Sequence, residues 1–116
     1  MGVPKIEHYQ FGEIIIDGRR YSRDVIIYPD RVESRWRREE SHSLSLADVW
    51  EVVQAAPEVL VIGQGRMSRM DVPTETWQGL QQAGIEVIAE PTTQACKTYN
   101  RLCAQKRVAA ALHLTC

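Results

Sequence analysis

The chain has 116 residues, 44% of them hydrophobic and 25% charged, with a formal net charge of −1. That length suits one α/β domain over residues 1–116 that buries roughly two-thirds of its unfolded surface in a single core, and it leaves no room for a second domain. Near-balanced charge gives no electrostatic footprint for nucleic acid or an anionic membrane, so neither is expected as a partner.

The first third reads as strands. Lys5 to Gln10 partly alternates, Glu13-Ile14-Ile15-Ile16 follows, and Asp17-Gly18 is a tight-turn signal before Arg19-Arg20-Tyr21. A β-hairpin is expected there. A second antiparallel pair follows, with Asp24 to Tyr28 running into the turn dipeptide Pro29-Asp30, after which Val32, Ser34 and Trp36 alternate with Glu33, Arg35 and Arg37. Arg37 to His42 has no apolar period and reads as a solvated loop.

Helical periodicity starts at Ser45, which with Asp48 forms a capping-box pattern ahead of Leu46, Val49, Trp50 and Val53 on one expected inward face; Pro57 ends this helix. Val59 to Ile62 is a continuous apolar run and reads as a buried strand, opening through Gly63-Gln64-Gly65 into a loop that reaches Met70. A second helix begins near Pro73-Thr74-Glu75, carries Trp77 and Leu80 inward and ends at Gly84, a left-handed cap. Ile85 to Ala89 is a short strand. A third helix starts at Pro91-Thr92-Thr93 with a buried stripe of Ala95, Cys96, Tyr99, Leu102 and Cys103, and a last strand runs from Val108 to Leu114. Four strands followed by alternating helices and strands predict an α/β fold. Its core is a mixed central sheet flanked by helices, with an N-terminal antiparallel β layer added.

Two places invite a ligand. The Gly63–Arg69 loop lies where a buried strand ends, and its glycine amides with Arg66 and Arg69 could hold an anion or carboxylate. However, the third glycine of a dinucleotide fingerprint and the Gly-Lys-Ser/Thr of a phosphate loop are both missing, so a tight structural turn is the plainer reading. The start of the third helix is the second place. Thr92 or Thr93 suits a cap, and Cys96, one turn in, could be a thiol of lowered pKa or, more simply, a small core residue.

No cofactor motif is present, and the three cysteines lack metal-ligand spacing. Cys96 and Cys103 would lie about 10 Å apart along one helix, too far for a disulfide, so free thiols and a reducing, cytoplasmic location are expected. Met1-Gly2 is no myristoylation signal because position 6 is Ile. His113 reads as a satisfied, half-buried strand residue, and Asn100 as a clamp on backbone groups. Eleven arginines against three lysines hint mildly at a partner or oligomer surface, although solvated ion pairs are the plainer reading.

In order along the chain stand Tyr21-x-x-Asp24-Val25-Ile26-Ile27, Trp36, the two glycines after a buried strand, Thr93-x-Ala95-Cys96-x-x-Tyr99-Asn100-x-Leu102, and a small-residue C-terminal strand. This pattern resembles a small family of unknown function first known structurally from a methanogen. Its animal relatives include an adipogenesis-associated cytoplasmic protein and a mitochondrial complex I assembly factor. The ending His113-Leu114-Thr115-Cys116 looks most like the adipogenesis-associated branch, while Gln64 departs from the small residue or Thr usual between the glycines. The resemblance implies a three-layer α/β domain and no established reaction. It marks Gly63, Gly65, Thr93, Cys96, Tyr99 and Asn100 as positions of interest, which with Arg66 make one expected ligand pocket. Two function classes follow: a non-enzymatic interaction or assembly module using Arg35, Arg37 and Arg38 or the glycine loop to hold a protein partner, and a binder or enzyme for a small anionic ligand.

Overall fold

A computed structural model describes residues 2–116. Eight strands and three α-helices follow in the order β1 (Ile6–Gln10), β2 (Glu13–Ile16), β3 (Arg19–Tyr21), β4 (Val25–Ile27), β5 (Val32–Glu33), α1 (Trp50–Ala55), β6 (Val59–Gly63), α2 (Thr74–Gln82), β7 (Glu86–Glu90), α3 (Thr92–Leu102) and β8 (Val108–Leu112). The first three strands form an antiparallel sheet, β1-β2-β3; the others form a mixed sheet in the order β5-β4-β8-β6-β7. β6 pairs in parallel with both β7 and β8, whereas β4 runs antiparallel to β8 and to β5. This is the three-layer α/β domain with a mixed central sheet that the element order predicts.

Period-two alternation distributes the central strands between two cores. Val25, Ile27, Val59, Val61, Ala110 and Leu112 face α3 and the three-stranded sheet. Ile26, Leu60, Ile62, Ala109 and Ala111 face the other way, onto Val49, Val52, Leu80 and Ile85. Both faces of the sheet are thus covered, which is why β6 and β8 are apolar throughout. The alanines of β8 leave little side-chain bulk on either side of the central strand. From β6 the chain crosses to β7 through α2, then returns past β6 to β8 through α3. Right-handed crossovers in opposite directions put the two helices on opposite faces.

Several local expectations hold in detail. Asp17 (φ 50°) and Gly18 (φ 79°) are both left-handed, the geometry of a two-residue type I′ hairpin turn. Ser45 and Asp48 cap each other, Ser45 N donating to Asp48 Oδ2 at 2.9 Å and Asp48 N to Ser45 Oγ at 3.3 Å. Gly84 (φ 83°) terminates α2 as expected.

Others are corrected. The capping box heads a 3-10 turn, Ala47–Val49, and Val49 (φ −120°, ψ 20°) breaks the register before α1. As a result Trp50 lies outside, 52% exposed, and Val52 takes the inward place. Ala56, left-handed at φ 51°, ends α1 one residue ahead of Pro57. Only Val32–Glu33 pairs as β5, because Arg35 (φ 61°) leaves the extended region and ends the alternation. β8 stops at Leu112, and residues 113–116 continue as an irregular segment. Among the described residues no helix is long and apolar enough to cross a membrane.

Candidate functional site

The glycine exit of β6 is closed by the chain's own C-terminal segment. His113 N donates to Gly63 O at 3.0 Å, Arg66 N to Thr115 O at 2.7 Å and Arg69 N to Cys116 O at 2.9 Å. Gly65 N donates to Thr92 Oγ1 at 2.8 Å, and that hydroxyl donates in turn to His113 O at 2.6 Å. The amides that the sequence offers to an anion therefore already meet carbonyl and hydroxyl oxygens of this chain. Close approach explains the glycines themselves. A Cβ on Gly63 would come within 2.9 Å of both Thr92 Oγ1 and Leu112 Cδ2. One on Gly65, whose φ is +100°, would collide with the backbone of Cys116 and reach 2.8 Å from His113 Cδ2.

The other expected pocket residues divide between surface and core. Arg66 and Thr93 are exposed, and neither Thr92 nor Thr93 caps α3, whose N-cap is Pro91. Thr92 is buried because its hydroxyl is the bridge just described. Cys96 lies in the core, the plainer of its two readings, and burial pushes its pKa up to about 12, against the alternative of a lowered one. Tyr99 is fully buried, its hydroxyl donating to Pro4 O at 2.6 Å, and burial raises its pKa. Asn100 clamps β1 as a backbone strand would, accepting from Ile6 N at 3.0 Å and donating to Ile6 O at 2.7 Å. Tyr99 and Asn100 thus fasten the three-stranded sheet to α3.

A polar knot that sequence reasoning missed lies beside the closed exit. Asp24, just before β4, accepts at Oδ2 from Arg38 Nη1 at 2.7 Å and from His113 Nδ1 at 2.8 Å, and at Oδ1 from Leu114 N at 2.8 Å. Burial alone would raise the Asp24 pKa; the bonds from His113, the Leu114 amide and Arg38 outweigh it and hold the carboxyl below its usual range. Arg38 Nη2 donates to Ser41 O at 2.8 Å and lies 3.1 Å from His113 Nδ1; the 2.8 Å approach of that nitrogen to the Asp24 carboxylate assigns the proton to Nδ1. The Arg38 side chain is only 4% exposed and its guanidinium sits 4.9 Å over the Trp36 ring. Arg38 therefore belongs to the interior, not to the solvated loop or the arginine surface expected from sequence. His113, expected half-buried and satisfied, is buried, and its Nε2 and Arg38 Nε have no hydrogen-bond partner among the described residues. The knot ties β4, the Arg38 loop and the C-terminal segment together. Chemically it is an oriented carboxylate–imidazole pair enclosed by protein. The only sequence signal for it was Asp24 in the Tyr21-x-x-Asp24 motif; Arg38 stood in an unpatterned charged run.

The open, charged surface is elsewhere. A depression of about 290 Å³ between β3 and the segment after β5 is lined by Arg19, Arg20, Arg23 and Arg35, with Tyr21, Ser22 and Ser34. An adjoining one of about 230 Å³ shares Arg23 and Arg35 and adds Arg37. Among the described residues Arg20 pairs with Glu13, Arg31 with Asp30 and Arg38 with Asp24, whereas Arg19, Arg23, Arg35 and Arg37 make no ion pair. Arg35 is held in the left-handed region, which costs a non-glycine residue about 1–2 kcal/mol.

These features define a three-layer α/β domain whose strand-end cleft is filled by its own chain and whose accessible charged site is an arginine-lined groove on the β side. By sequence the chain belongs to a family described as a protein of unknown function (DUF498/DUF598), whose model matches residues 6–113. It is similar to a conserved hypothetical protein of Pyrococcus horikoshii OT3, with 31% identity and a TM-score of 0.86 over 97% of this chain and 99% of that one. A Bordetella parapertussis protein gives 29% identity and a TM-score of 0.86 over 98% of each chain. A Bordetella pertussis protein described as an Mth938-like domain gives 26% and 0.72, over 96% of this chain and 85% of that one.

Proposed function

We propose that this domain is a non-enzymatic interaction or assembly module that holds a protein partner on its arginine-rich β face. One observation carries the reading: Arg19, Arg23, Arg35 and Arg37 gather around adjoining depressions without ion pairs of their own, while the glycine loop's amides are engaged internally. Unpaired guanidinium groups at a concave surface favour carboxylate-bearing partners through bidentate contacts. The resemblance to an adipogenesis-associated protein and a complex I assembly factor supports an assembly role, and the free thiols of Cys96, Cys103 and Cys116 support a cytoplasmic, reducing setting.

Affinity capture from native extract tests the reading. The wild-type domain retains a partner that R35E/R37E loses; capture of nothing, or unchanged capture by the double variant, overturns it. The alternative, a small anionic ligand between Gly63–Arg69 and Thr93–Asn100, has less support. It requires the bonds from Arg66 N and Arg69 N to the C-terminal segment to open. A metabolite screen for thermal shifts that R66E/R69E abolishes would favour it.

A further inference from the structure

We infer that the channel between β3 and β5 is a docking groove for an extended, acidic segment of a partner protein, which adds as a strand to the open edge of β3. The inference rests on the interaction-module reading and names what that face recognises.

Two sheet edges face this channel. β3 ends the three-stranded sheet with β2 on one side only, and β5 ends the central sheet with β4 on one side only. The register across the Asp17-Gly18 turn pairs Ile16 with Arg19 and Ile15 with Arg20. In a two-residue hairpin the pair flanking the turn exchanges hydrogen bonds and the next pair does not, so the Arg20 amide and carbonyl face the open side.

The channel is made of three adjoining depressions. One depression of about 370 Å³ is lined by Arg19, Tyr21, Arg31 and Val32, among others. The central depression shares Arg19 and Tyr21 with it, and shares Arg23 and Arg35 with the third. An extended peptide advances about 3.3 Å per residue, so eight residues span about 26 Å. The molecule measures 35 × 29 × 21 Å, so such a segment fits along one face.

Charge selects the occupant. Asp17 and Asp30 stand at the first end, where Asp30 already pairs with Arg31. At the other end Asp24 is taken by Arg38 and His113, and among the described residues Arg23, Arg35 and Arg37 make no ion pair, although Glu33, Asp48 and Glu51 line the next depression beside Arg35 and Arg37. Lone charges on an edge strand ordinarily discourage pairing with other chains. Here, however, arginines line both walls of one concavity, a pattern that repels a basic strand and favours an acidic one over a neutral one. Main-chain bonds would supply affinity and alternate carboxylates specificity.

Fluorescence anisotropy with a labelled eight-residue peptide alternating Glu with Val or Thr tests this on the full chain. Expected is saturable binding that weakens ~tenfold or more in R23E/R35E and between about 50 and about 200 mM salt, but not in R66E/R69E. The milder R23Q/R35Q, checked by circular dichroism, serves if charge reversal unfolds the chain. Methylating alternate peptide nitrogens, which keeps the charge but removes strand donors, is expected to weaken binding; a Lys-for-Glu peptide is expected not to bind. No saturable binding at millimolar peptide, indifference to R23E/R35E, or equal binding of the methylated peptide overturns the inference. Should native partner capture still depend on Arg35 and Arg37 when the peptide fails, the interaction reading survives and only the acidic strand falls.

Discussion

At the scale of single residues, the central fact is that Asp24 holds a guanidinium, an imidazole and a backbone amide at once. Asp24→Asn leaves Arg38 buried beside a neutral partner and is expected to cost about 3 kcal/mol, read from urea midpoints at pH 7. The pH dependence follows in sign. The folded carboxyl titrates below its unfolded value of ~3.9, so its stabilisation is complete above that value and is lost as pH falls through the folded pKa. The wild type should therefore lose stability below about pH 4 more steeply than Asp24→Asn; parallel curves would contradict the assignment. Cys96 is expected to stay unalkylated by iodoacetamide near neutral pH until the protein is denatured, since only its minor thiolate form reacts. Gly65→Ala is expected to cost upward of ~2 kcal/mol, because a methyl group there meets backbone and the conformation is left-handed. Single-residue roles were the least legible part of the sequence. Residues 24, 38 and 113 are brought together only by tertiary packing, so no spacing rule could join them. In the Thr92-Thr93 pair, helical phase with Ala95, Cys96 and Tyr99 turns Thr92 inward, but its hydroxyl's partner is set by the path of the C-terminal segment.

At the scale of elements, α3 is the joint between layers. Its Ala95, Cys96 and Tyr99 pack into the core shared with the three-stranded sheet, and Asn100 completes the joint by pairing with both backbone groups of Ile6. Asn100→Ala leaves that amide and carbonyl unpartnered, and a loss of about 2 kcal/mol is expected. Hydrogen exchange should speed up first in β1 and β2, with β6 and β8 protected; uniform acceleration would show that the two sheets do not open separately. Elements were readable where one physical rule acts alone: partial alternation in β1, an unbroken apolar run in β6, the Asp17-Gly18 turn, the helical stripe of α3. They were misread where tertiary demands override the local pattern. Trp50 sits at helical spacing from Leu46 and Val53, yet the break at Val49 turns it to solvent. Arg35 continues an apparent alternation but leaves the extended region, and β5 stops short of it.

At the scale of the whole molecule, the layered architecture was legible because strand–helix alternation, hairpin signals and two-sided burial all point to one arrangement. The working surface was not. From sequence the glycine loop reads as a tight turn or a ligand contact, and the arginines as a solvated face or a partner surface, because nothing local reveals that the C-terminal segment fills the first, or that β3 and β5 put the second around one channel. Of the two surfaces the sequence offers a partner, the β3–β5 groove is open and the end of β6 is filled. Hydrogen–deuterium exchange on the domain alone, and saturated with the partner it captures, tests which of them binds most directly. The groove account predicts new protection in residues 18–23 and 31–37, with 63–70 and 92–100 unchanged. Protection confined to 63–70 and 92–100 would contradict it and return the site to the glycine loop.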